Sequence, residues 1–391
     1  MLKILILHNT YQQHGGEDAV VEAESALLRK AGHKVQVELV SNDSISGLHA
    51  KALTFFKTPY DAARKNWFAN LVAAERPDVV HIHNFFPLLT PAVHEAAAEM
   101  GIPVVQTLHN YRLLCANALF LRDGTVCEKC LSGTRYSGVV HRCYRGSLSA
   151  SLAVVRLQNR AFSCGSWHKH VHRFIALTAF SREKFISGGL PDGRVAVKPN
   201  FVARERPCAV QRSGALFVGR LSKEKGADTL VSAWRELPNI PLTIVGGGPE
   251  QGALEAMAPS NVTFVGQQPP ERVATYMAGA QALILPSIWY EGFPMTVVEA
   301  FAAGLPVIAS NIGSLGEVVT PGRSGAHFTP GNAADLARKV RELFDIPEML
   351  ERLGSGARAI YEAHYTPEAN LRQLERIYDE AIAEAEQWID L

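Results

Sequence analysis

The sequence predicts an α/β protein of two domains, each built on a parallel sheet. Three observations carry that expectation. At 391 residues the chain exceeds what one ordinary core holds. Short apolar runs alternate with helix-like segments, the pattern of strands covered on both faces. The alternation pauses at Lys198-Pro199-Asn200 and Arg204-Glu205-Arg206-Pro207, which have the composition of a linker, and then resumes. The expected domains are therefore residues 1–200 and 208–366, with a closing helix over 367–391.

Composition narrows the class. Hydrophobic residues at 47% and charged residues at 20% are those of a folded globular chain. A formal net charge of +1 argues against nucleic acid as the main partner. The opening run Leu2–His8 is too short for the core of a signal peptide, and no run approaches a membrane span. Six cysteines in so long a chain do not make a secreted disulfide scaffold, so a cytoplasmic protein is expected.

In the first half, strand-like runs fall at Leu2–Leu7, Lys34–Val40, Asp78–His83, Pro103–Leu108, Phe174–Thr178 and Val195–Lys198. Helix-like segments at Asp18–Ala31 and Tyr60–Glu75 lie between them. After the first strand, Gly15-Gly16 makes a tight turn and Glu17-Asp18 opens a helix, where acids suit the positive end of the dipole. Histidines close two strands: His81 and His83 at the third, which read as structural or merely exposed, and His109 after the fourth.

From Tyr111 to Tyr144 the chain is rich in Cys, Gly and Arg and has no clear period. Cys115, Cys127, Cys130 and Cys143 lie there, with Cys127-Glu128-Lys129-Cys130 spaced as in a zinc knuckle. Four thiolates would close a tetrahedral structural zinc site and order a segment that lacks an apolar pattern. Buried thiols and a Cys127–Cys130 disulfide are the competing readings, the disulfide being disfavoured in a reducing compartment. Arg145 to Arg173 reads as one helical stretch carrying Arg156, Arg160, Lys169, His170 and His172. Such a face is a solvated surface or a contact for anionic phospholipid head groups or a lipid diphosphate.

In the second half, Ala215–Leu221 runs into Ser222-Lys223-Glu224-Lys225-Gly226, and Leu242–Val245 runs into Gly246-Gly247-Gly248. No acid follows the next strand, Val262–Gly266, where a dinucleotide ribose would need one, so a dehydrogenase is not indicated. Ala282–Ser287 is a short apolar run stopped by its proline, and reads as a buried strand. A loop with an exposed Glu291-Gly292-Phe293-Pro294 follows, then a helix over Thr296–Ala303 with Pro294 in its first turn, Gly304 at its end, and a strand over Leu305–Ser310. Glu291 is thus expected in the loop at a strand's C-terminal end, and Glu299 one turn into the next helix.

That phrase resembles the signature of retaining glycosyltransferases of family 4: two glutamates separated by seven residues, within Glu-Gly-Phe-Pro and followed by Gly304-x-Pro306-Val307. The resemblance implies the GT-B fold, two Rossmann-like doubly wound domains facing a central cleft, with the acceptor on the first and the nucleotide sugar on the second. It implies that Glu291 and His109 contact the donor sugar, that Glu299 holds the ribose, and that Arg220 and Lys225 neutralise the diphosphate. Gly15, Gly16, Gly292, Phe293, Pro294, Met295 and Thr296 complete the implied donor site. The expected reaction moves a hexose from a UDP- or GDP-sugar to a saccharide or lipid-linked saccharide hydroxyl in cell-surface polysaccharide or glycoconjugate synthesis, with peripheral contact at the inner face of the membrane. With no Asp-x-Asp metal bridge in the sequence, no catalytic cofactor is expected. A sugar-nucleotide epimerase of the same fold and a non-catalytic assembly scaffold are the rivals.

Overall fold

A strand covered by helices on both faces has no solvated side, and the central strands here are buried at almost every position. The computed structural model describes residues 1–11, 15–204 and 211–389. The expected linker residues Glu205, Arg206 and Pro207, and Cys208, lie outside the described residues. The chain divides into two units: Met1–Phe120, Glu128–Pro199 and Asn370–Leu391 in the first, Leu121–Cys127 and Asn200–Ala369 in the second.

The strands in chain order are β1 (Lys3–Thr10), β2 (Lys34–Ser41), β3 (Val79–Asn84), β4 (Val104–Leu108), β5 (Leu121–Arg122), β6 (Thr125–Val126), β7 (Arg173–Ala176) and β8 (Val195–Val197). They continue with β9 (Ala215–Val218), β10 (Leu242–Val245), β11 (Val262–Phe264), β12 (Ala282–Leu285), β13 (Val307–Ser310) and β14 (Gly325–Phe328). The first unit's sheet has the order β2-β1-β3-β4-β7-β8, and its pairs are all parallel. The second unit's sheet has the order β11-β10-β9-β12-β13-β14, again parallel throughout. Every residue of β3, β4, β12 and β13 is buried, whereas the edge strand β2 is partly exposed along its whole length.

These orders decide where ligands can be met. In the second sheet the chain moves outward from β9 through β10 to β11, then returns to place β12 on β9's other side. Loops leaving the C-terminal ends of β9 and β12 therefore diverge in opposite directions and leave a crevice, the switch point of an open α/β sheet. In the first sheet the same reversal lies between β1 and β3.

The helix Pro367–Ile389 begins in the second unit and, from Asn370 onward, belongs to the first. Asn370 Nδ2 donates to the Pro199 carbonyl at 2.9 Å, Glu375 pairs with His33 at 2.9 Å, and Glu384 pairs with Arg194 at 2.8 Å. Its buried Tyr378 hydroxyl meets His81 Nδ1 at 2.8 Å.

Two expectations change. The basic stretch is not one helix to Arg173. It forms the helix Leu148–Ser163, which stops before Gly165 at φ +69, then a single turn at Ser166–Lys169, and Arg173 opens β7. A left-handed glycine ends a helix because its missing Cβ removes the penalty there. The signature helix spans Met295–Ala302, with Pro294 before it and not within its first turn, and Gly304 at φ +62 turns the chain out of it.

Candidate active site

The second unit's switch point is built by two loops that glycine allows to touch. After β9 comes Gly219-Arg220-Leu221, then the tight turn Lys223–Lys225 and Gly226. Gly226 has φ +65, and a Cβ on it would stand 2.0 Å from the Pro286 carbonyl oxygen. Its bare Cα lets the β9 loop lie directly against the β12 loop, where Ile288 N–H donates to Glu224 O at 3.0 Å. The turn after β10 packs as closely: Gly246 at φ +140 would set a Cβ 1.9 Å from Gly219 O. The triple glycine that superficially suggests a dinucleotide fingerprint is used here for loop-against-loop packing.

This contact sets Lys225 Nζ 2.9 Å from Glu291 Oε1. Ser287 Oγ donates to the same oxygen at 2.5 Å. Glu291 is 6% exposed, so the loop does not display it as an exposed acid; the carboxylate is held between a hydroxyl and an ammonium. Such double engagement is what a buried carboxylate requires. Arg220 is exposed on the adjoining loop, and Lys225 is half-buried, with Nζ 5.5 Å above the Trp289 ring.

Glu299 lies on the helix Met295–Ala302, half-buried, with Arg204 Nη2 at 3.7 Å from its Oε1. Burial pushes its carboxyl above the usual range, opposed by the Arg204 charge. Partners that donate hydrogen bonds would restore the carboxylate. Met295 and Thr296 form the helix's first turn, where N–H groups lack helical acceptors. Phe293 packs into the hydrophobic core, its ring 6.1 Å from Tyr365, and Gly292 O accepts from Ser314 Oγ at 3.4 Å. Phe293 and Gly292 therefore brace the loop, and Pro294 is buried beneath it.

The first unit carries a second polar cluster. Gly15 N–H donates to Asp18 Oδ2 at 2.7 Å, and Asp18 Oδ1 meets His8 Nε2 at 2.9 Å, which ties the glycine turn to the end of β1. Gly16 has nothing within 4 Å of where its Cβ would be, so the turn stays open on that side. His83 and His81 are buried at 2% and 0%, which rules out the exposed reading and leaves the structural one. His109 is half-buried, with Nε2 3.0 Å from His83 Nδ1. Desolvation lowers its pKa to about 3, so the imidazole is neutral at pH 7. His83 is likewise held well below its usual value, by burial first and then by the neighbouring His109.

Beneath these rings lies a pair absent from the expected site. Lys198, read as linker, is fully buried and its ammonium contacts Glu24 Oε1. Glu24, at 1% exposure, turns its other oxygen toward His83 Nε2 at 3.5 Å. Burial alone would raise the Glu24 carboxyl, but the Lys198 charge overrides it and the net shift is downward. Glu24, His81 and His83 place ligating atoms within 4.8 Å of one another, the donor set of a metal centre. The chemistry argues otherwise: an ammonium already occupies the cation position, and both His81 nitrogens are engaged, by the Tyr378 hydroxyl and by Thr107 Oγ1.

The expected zinc ligands Cys115, Cys127, Cys130 and Cys143 are all free cysteines. Among the described residues, Cys115, Cys130 and Cys143 of the first unit form no group of three ligating atoms within that reach, and Cys127 directly follows β6. Cys115 Sγ is buried 2.9 Å from Asn117 Oδ1, and burial raises its pKa away from thiolate. Packing orders the start of the segment: Tyr111 and Phe120 are buried with ring centroids 4.9 Å apart.

Comparison with known proteins agrees with this architecture. Residues 14–206 match the family described as Glycosyltransferase Family 4, and residues 209–360 match Glycosyl transferases group 1. A glycogen synthase of Mycobacterium tuberculosis is 30% identical over 296 residues, 72% of this chain and 64% of that relative, so less than two thirds of the relative's length is spanned. A sucrose-phosphate synthase of Thermosynechococcus elongatus has a TM-score of 0.70 at 20% identity, over 98% of this chain and 100% of the other. Anabaena HepE in complex with UDP also has a TM-score of 0.70, at 18% identity, over 96% and 100%. At these identities the structural likeness speaks for the fold alone. With both halves matched in order and two parallel sheets of the doubly wound kind, the chain belongs to the glycosyltransferases of the family 4 type and has the GT-B fold.

Proposed function

We propose that the protein transfers a hexosyl group from a UDP- or GDP-sugar to a hydroxyl of a saccharide or lipid-linked saccharide, with retention of anomeric configuration. The Lys225–Glu291 pair at the second unit's switch point carries this reading. One Glu291 oxygen is fixed by Ser287 and Lys225, which orients the other to accept from hydroxyls of the donor sugar. Lys225 and the exposed Arg220 supply positive charge for the diphosphate, whose charge grows as the glycosidic bond breaks. Glu299, short of donors in its half-buried position, suits the two hydroxyls of a ribose. Neutral His109 positions the sugar and is not the general base; Glu291 is not a covalent nucleophile, and the leaving phosphate assists deprotonation of the acceptor on the same face. A lipid-linked acceptor would be met at a membrane surface. The exposed Phe56, Val140 and Leu148 with exposed Arg142 and Arg145 offer apolar and cationic contacts for one. Among the described residues no helix is long and apolar enough to cross a membrane.

The test is a thermal-shift panel of UDP- and GDP-sugars, since a ligand bound by the native state alone raises apparent stability. The stabilising donor is then used for turnover of Arg220→Ala, expected to fall about a hundredfold to a thousandfold through loss of one electrostatic contact. Turnover is expected to survive EDTA, because the cations of Arg220 and Lys225 do the work of a bridging metal. Undiminished Arg220→Ala turnover refutes the assignment of the phosphate site. An altered sugar nucleotide formed without acceptor would instead identify an epimerase.

A further inference from the structure

The geometry points to a buried positioning chain, Lys198–Glu24–His83, that sets which nitrogen of His109 carries the proton. Lys198 and Glu24 are both essentially unexposed and in ion-pair contact, so Glu24 is a carboxylate. Neither its Oε2 nor His83 Nε2 has a hydrogen-bond partner, and the two atoms lie 3.5 Å apart. A neutral His83 has one ring proton to place. On Nδ1 it would leave the Nε2 lone pair opposed to a carboxylate oxygen in a site shielded from water. On Nε2 it turns a positive edge toward the nearby carboxylate, so Nε2–H is the tautomer the charge favours.

His83 Nδ1 is then an acceptor, and the nitrogen 3.0 Å away, His109 Nε2, must be the donor. The two rings are near parallel, 21° apart, with centroids at 5.2 Å. His109 is thereby presented as the Nε2–H tautomer with Nδ1 bare. A bare nitrogen accepts from a hydroxyl and donates to nothing, so this side chain selects a ligand hydroxyl over a carbonyl or ether oxygen at that position. The orientation is fixed from behind by a charge pair that never touches substrate, which makes Glu24, Lys198 and His83 positioning residues. This extension rests on the reading that His109 meets the donor sugar.

Two readouts separate the chain from that reading. In the 15N-labelled full-length protein at pH 7, long-range ¹H–¹⁵N correlations report the His109 tautomer directly. The expected result is the Nε2–H form, converted to a mixture of tautomers in E24M/K198M and in His83→Leu, and retained in His83→Asn, whose side-chain oxygen replaces the Nδ1 acceptor. Wild-type His109 protonated on Nδ1, or a tautomer indifferent to E24M/K198M, overturns the chain. The double replacement removes both charges together, so the test does not depend on His83→Leu folding. Kinetics form the second readout: His83→Leu is expected to lower kcat/KM for the donor about tenfold, the worth of one hydrogen bond, with His83→Asn restoring it. Tautomers that respond while kcat/KM does not would uphold the chain and refute the contact between His109 and the sugar.

Discussion

Replacing Lys198 by methionine isolates the energetics of the buried pair. Lys198 is 0% and Glu24 1% exposed, so the substitution leaves a carboxylate in the interior without its ammonium. Breaking a buried pair by removing one partner costs about 3–5 kcal/mol, whereas replacing both by apolar groups of similar size is near neutral. The first unit holds roughly 200 residues, where each kcal/mol moves Tm by about 2–4 °C. Lys198→Met should therefore lower the first unit's Tm by about 6–20 °C, and E24M/K198M should recover most of the loss. The structure adds a sign. With Lys198 gone, the cation nearest to hand for Glu24 is a protonated His83, whose Nε2 is 3.5 Å away. Proton uptake by His83 would partly restore the pair, so the deficit should be smaller at pH 6 than at pH 8. Calorimetric melts of the wild type, both single variants and the double variant at the two pH values close the cycle. A double variant as unstable as Lys198→Met, or single variants that melt with the wild type, would show that the pair is not insulated from water.

Two more perturbations reach other parts of the molecule. His94, fully buried, and His172, 2% exposed, are both held near pKa 4, chiefly by burial; for His172 the charges of Arg194 and Arg173 add to it. Folded values below the unfolded 6.5 mean that the unfolded chain binds more protons in that window. Stability is therefore full above about pH 6.5 and lost as pH falls toward 4, by about 2 kcal/mol per histidine at pH 5; urea melts from pH 7.5 to 4.5 read this, and a flat profile contradicts it. Gly226→Ala must fit a Cβ 2.0 Å from the Pro286 carbonyl at φ +65, so the two switch-point loops separate and donor affinity should fall at least tenfold by calorimetric titration. Gly252→Ala, which meets nothing within 4 Å, is the control expected to bind normally.

Much of the framework was legible because each buried strand writes itself as a short apolar run. β1, β3, β4, β12 and β13 fall within one to three residues of their expected ends. The loops after β9 and β12 were legible too, since glycine, proline and charge cluster where the chain must turn. What composition hid is the exposure of Glu291: a loop acid reads as solvated until its lysine and serine partners are placed beside it from residues 66 and 4 positions away.

The Glu24–Lys198 pair was readable in principle on one side only. In the helix Gly16–Lys30 the buried positions include Val20, Val21, Glu24, Ser25 and Leu28, a 3–4 spacing that defines a single inward face. An acid on that stripe cannot be a solvated charge, and burial of a carboxylate demands a cation or a proton. That logic calls for a partner without naming it. Lys198 directly follows β8 and precedes Pro199, in a stretch whose composition says linker, and it is 174 residues from Glu24. The parallel register of β1, β3, β4, β7 and β8 carries the end of β8 to the same side of the sheet as the helix following β1. Partner choice is thus a property of the sheet order, and only the demand for a partner is a property of the helix.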